Sequence, residues 1–116
     1  IGRGVERLLD QIKSSAPDSK VLLMSPIALG DGVGEEGYDP EFDERSVAVS
    51  KRLPDVYRRI AHERGISFLT ASEYAKPSTA DREHMNEEGH AALAEAVYAK
   101  LKEMLAGEKE NAQIPA

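Results

Sequence analysis

Asp81-Arg82-Glu83-His84-Met85-Asn86-Glu87-Glu88-Gly89-His90 is the stretch on which the reading of this chain turns. It runs straight into positions 91–105, where Leu93, Val97, Leu101, Met104 and Leu105 recur at helical spacing. The block therefore stands at a helix start: Asn86 is a capping residue, and Glu87 and Glu88 fall in the first turn, where carboxylates suit the helix dipole. Ahead of the cap, an acid and a histidine lie three positions apart. A turn brings such residues together, and a carboxylate beside an imidazole fixes its tautomer and stabilises its protonated form. Asp81 and His84 are thus a candidate orienting acid and general base. The plainer reading makes Asp81 a turn residue and His84 its neighbour.

The flanking residues bear on that choice. Asp-x-x-His, one apolar residue, a capping residue, two acids and Gly-His resembles the last block of the SGNH (GDSL-type) esterases and lipases. Asp81, His84, Asn86, Glu87, Glu88, Gly89 and His90 match the pattern, while Arg82 replaces the usual small residue. The run from Lys20-Val21-Leu22-Leu23-Met24-Ser25-Pro26 to Leu105 looks like the second half of the aryl-esterase and acyltransferase branch. The resemblance implies an α/β fold, a flavodoxin-like three-layer sandwich of about five parallel strands. It also implies a Ser-His-Asp triad with Asp81 and His84 as two members, a small-molecule ester substrate, and no cofactor or metal.

Composition narrows the alternatives. The 116 residues allow one domain, with a formal net charge of −6 that argues against binding a phosphate backbone. Without cysteine there is no disulfide, thiol nucleophile or thiolate metal site. No apolar run reaches the ~18 residues of a membrane span. No signal-peptide pattern opens the chain, from which a cytoplasmic location is expected.

Taken in order, Val5, Leu8, Leu9 and Ile12 predict an amphipathic helix that stops before Pro17. Val21-Leu22-Leu23-Met24 is a continuous apolar run, the mark of a strand covered on both faces. Ser25 lacks any nucleophile-elbow context and reads as a strand-end hydroxyl. Positions 28–38 carry Gly30, Gly32, Gly34 and Gly37 among Asp31, Glu35 and Glu36. With no lysine following, this is no phosphate cradle; a lid, an oligomer contact and a surface excursion are all compatible with it. Asp39-Pro40 predicts a helix start, and Gly65 predicts its end, with Pro54 kinking it or dividing it in two. His62, near that end, needs only the helix dipole to explain it. A second strand is expected over 66–70. His90 is the competing histidine; a metal site built from Asp81, His84 and His90 lacks further ligands.

Positions 1–107 thus read as the C-terminal part of one domain, with 108–116 a frayed tail. Two strands are too few for a stable sheet of this class, and both would be edges. The first residue is Ile rather than Met. The resemblance places the nucleophilic Ser and most of the oxyanion hole in blocks ahead of this region, so a preceding segment or second chain is expected to supply them. The open edge also predicts association with another copy. Two rival readings remain: a non-catalytic α/β interaction domain, and an inert fragment that associates through its strand edge.

Overall fold

The computed structural model describes the backbone of residues 1–113 and side chains as far as Gly107. Helix α1 (Gly2–Ser15) leads to strand β1 (Leu22–Ser25), helix α2 (Glu44–Arg64), strand β2 (Ser67–Thr70) and helix α3 (Glu87–Gln113), with a 3₁₀ turn at Ala71–Glu73. β1 and β2 are parallel, with Leu22 opposite Ser67 and Ser25 opposite Thr70. A parallel pair needs a crossover, and α2 provides it.

Alternation along the strands sends successive side chains to opposite faces, which separates two apolar clusters. Leu22 and Leu69 face α3, packing with Leu93, Val97 and Met85. Val21 and Leu23 face the other way, against Val5 and Leu9 of α1 and Ile60 of α2. Helices therefore cover both faces of the two strands: an α/β/α sandwich with a narrow sheet.

Several expectations need adjustment. α2 starts not at Asp39-Pro40 but four residues later. Asp43 accepts from the Ser46 amide at 2.9 Å while Ser46 Oγ accepts from the Asp43 amide at 3.2 Å. This reciprocal box satisfies two amides, where Asp39 would satisfy one. Asp39 instead accepts from the Glu41 amide at 3.0 Å and forms a local turn. Pro54 lies within α2, which continues unbroken to Gly65 at φ +65°.

The sheet is less covered than its apolar runs predict. β1 pairs only with β2 among the described residues, and Met24 is 39% exposed. The apolar stripe of α3 is buried only near its start: Leu93 packs in the core, but Leu101 and Leu105 are open to solvent. α3 outruns the two strands beneath it, so its later turns have no sheet to rest on. Its backbone also continues past Gly107 to Gln113. The tail expected over 108–116 lies, for its side chains and for positions 114–116, outside the described residues.

Candidate active site

Beyond β2, the chain makes a tight excursion before α3. Pro77 and Met85 form an isolated antiparallel bridge, the Ser78 amide donates to the His84 carbonyl at 2.7 Å, and the Arg82 amide donates to Ser78 O at 2.8 Å. Positions 78–84 are thus pinned at their neck, and Arg82 at their tip adopts φ +62°. Asn86 closes the excursion by accepting from the Gly89 amide at 2.8 Å, the predicted cap.

Asp81 is the hub of this turn. Its Oδ1 accepts from the amides of Glu83 at 2.8 Å and His84 at 2.9 Å, and from Ser78 Oγ at 3.3 Å. Its Oδ2 lies 2.6 Å from Nδ1 of His84. The backbone bond from His84, then that from Glu83 and the imidazole contact, hold the Asp81 carboxyl well below the usual carboxylate range. Asp81 in turn raises the pKa of His84, first through the side-chain hydrogen bond and then through its charge. A carboxylate oxygen at Nδ1 fixes the proton there in the neutral ring, leaving the Nε2 lone pair free to accept another. The His84 side chain is 76% exposed, so Nε2 can be reached.

An open cleft of about 340 Å³ lies against this turn, between Gly37–Pro40 and the Ala80, Asp81 and Glu83 side. Glu83 is pushed above its ordinary range by desolvation and by the neighbouring Asp39 carboxylate. Glu83 also lies close enough to Asp81 and His84 for ligand atoms from the three to fall within 4.8 Å of one another. Nδ1 and both Asp81 oxygens are already bonded within the turn, so this cluster is accounted for by the hydrogen-bonded Asp81–His84 pair.

The other candidates separate from the pair. Ser25 is fully buried in β1, and its Oγ has no hydrogen-bond partner among the described residues. His62 is exposed at the end of α2; His90 is exposed on α3, where its amide bonds to Asn86 O at 3.0 Å. Two contributors were missed in the sequence. Ser78 steadies Asp81, signalled only by its spacing of three residues. Arg82 reaches back to the glycine-rich segment: its Nη1 donates to Gly32 O at 2.9 Å and Glu35 Oε2 at 3.0 Å.

No protein-family model matches the sequence, and no curated protein does. Solved structures do. One is 37% identical, with a TM-score of 0.83 over 90% of this chain and 49% of its own. A proposed arylesterase from Agrobacterium tumefaciens is 27% identical, with a TM-score of 0.75 over 88% of this chain and 50% of that one. The chain matches about half of an SGNH-type hydrolase fold.

Est24, a carbohydrate acetylesterase from Sinorhizobium meliloti, shares that fold at 24% identity and a TM-score of 0.77, over 90% of this chain and 51% of its own. The chain spans about half the length of each of these structures. Among the described residues β1 has no neighbour along its outer edge, and Leu101 and Leu105 of α3 are open to solvent. No described helix is long and apolar enough to cross a membrane.

Proposed function

We propose that this chain provides the acid–base half of a serine ester hydrolase, completed by a segment carrying the nucleophilic serine and oxyanion donors. The observation that carries this reading is the Asp81–His84 contact of 2.6 Å with Nε2 left accessible. In the proposed cycle, Nε2 takes the serine proton as the serine oxygen attacks the ester carbonyl. The protonated ring then gives that proton to the departing alcohol, leaving an acyl-serine. Water, deprotonated by the same Nε2, hydrolyses the acyl-enzyme and restores the serine. Asp81 remains ionised throughout and steadies the imidazolium.

Small acyl esters, aryl or carbohydrate acetates, are the substrate class suggested by the names of the similar structures. The exposed Met24 at the edge of β1 supports docking of the complementary half along that edge. Intact-mass analysis of the complete protein after treatment with a fluorophosphonate tests the proposal. A single covalent adduct on a serine is expected. A protein that stays unlabelled is instead a non-catalytic domain.

A further inference from the structure

We infer that Arg82 is a positioning residue that latches the 30–38 segment onto the acid–base turn, making that segment the fixed wall of the cleft beside Asp81. The inference rests on the esterase reading for its catalytic consequence, but the latch itself does not. Arg82 stands at φ +62°, where a side chain is strained and glycine would be relaxed. In that place it makes four connections to one segment. Its carbonyl accepts from the Gly30 amide at 2.8 Å. Its guanidinium donates to Gly32 O at 2.9 Å and to Glu35 Oε2 at 3.0 Å, and it stacks 3.8 Å above the Tyr38 ring.

These contacts converge from the backbone, a carboxylate and an aromatic face, which together suit the planar fork of arginine and not the point charge of lysine. The segment is built to receive it. Gly32 sits at φ +78°, and a Cβ there would run into Arg82 Nη1. Val33, at the middle of the segment, is fully buried, so the wall is anchored from beneath as well. Tyr38 and the neighbouring Gly37 and Asp39 line the cleft whose opposite side is Asp81 and Glu83. Arg82 therefore spans from the tip of the turn to the far wall. Because its charge is met by Glu35, it is not free to bind an anionic substrate; its effect passes through Tyr38 and the cleft width.

The test uses the complete protein and two readouts. In Arg82→Gly, which relaxes the backbone while removing the fork, amide hydrogen exchange across 30–38 should quicken about tenfold or more, with β1 and the start of α3 unchanged. KM for a small acetyl ester should rise severalfold while kcat moves by less than about threefold, since Asp81 and His84 are left in place. Tyr38→Leu, made from the other side of the latch, should reproduce the exchange effect, and Arg82→Lys should restore little of it. Unchanged exchange in both Arg82→Gly and Tyr38→Leu overturns the latch. Faster exchange with no change in KM overturns the cleft-wall role. A protein that turns over no ester refutes the esterase reading while exchange still decides the latch.

Discussion

His84 is bound twice by the same carboxylate: Nδ1 lies 2.6 Å from Asp81 Oδ2, and the His84 amide donates to Asp81 Oδ1 at 2.9 Å. One bond orients the ring and the other orients the backbone that carries it. A three-residue spacing is enough for this because Arg82 takes a left-handed conformation between them. The Asp81–His84 contact is therefore a local product of one turn.

Removing the carboxylate charge tests that arrangement. In Asp81→Asn, the ring loses both the charge and the acceptor that hold its tautomer, and kcat in the complete protein should fall by roughly 10³–10⁴, the scale seen for the equivalent change in a serine protease. Steady-state kinetics on a chromogenic acetate ester measures it. A loss below tenfold would leave Asp81 a turn former only.

The pH dependence has a definite sign. The proposed hydrolysis needs neutral His84, and Asp81 raises the His84 pKa above its ordinary value of about 6.5. The acid limb of kcat/KM should therefore break above that value in the wild type and shift to lower pH in Asp81→Asn. For stability the sign is opposite. A raised folded pKa contributes stability that is present below the unfolded value and is lost as pH climbs through the folded one. An NMR titration of the His84 ring follows the same shift directly, and a ring titrating at or below the ordinary value refutes the pairing.

Ser25 offers a contrast. Its buried Oγ has no partner among the described residues, so Ser25→Ala should leave ester turnover intact and stabilise the protein by up to about 1 kcal/mol, the desolvation cost of an unmet hydroxyl being relieved. Urea unfolding of the complete protein reads the change. Loss of turnover in a folded Ser25→Ala protein would make Ser25 a participant.

Much of this was legible in the residues, for physical reasons that differ by element. The helix ends at Pro17 and Gly65, the Asn86 cap and the parallel strands follow from local backbone preferences. The Asp81–His84 pair was legible because it, too, is local. The start of α2 was not: Asp39-Pro40 and Asp43 both offer a capping carboxylate, and only the reciprocal bond with Ser46 decides between them. Arg82 escaped notice as a connector because its partners, Gly32, Glu35 and Tyr38, lie more than forty residues away. The exposure of Leu101 and Leu105 is not legible in the residues, since periodicity reports an apolar face and not what covers it.

Gly65 isolates a purely conformational effect. It ends α2 at φ +65° with nothing within 4 Å of where a Cβ would stand. Gly65→Ala should thus cost about 1 kcal/mol of stability through backbone strain alone, with ester turnover unchanged. Thermal unfolding checks it, and Gly65→Asn should lose less because asparagine tolerates this region.

The central claim is that Nε2 of His84 moves the proton in each half of the reaction. Its most direct test is ester turnover by His84→Ala in the complete protein, with circular dichroism showing the fold retained. The account predicts that turnover falls at least about a thousandfold, to the level left by binding and oxyanion donors alone. A folded His84→Ala protein that hydrolyses esters at the wild-type rate would contradict it.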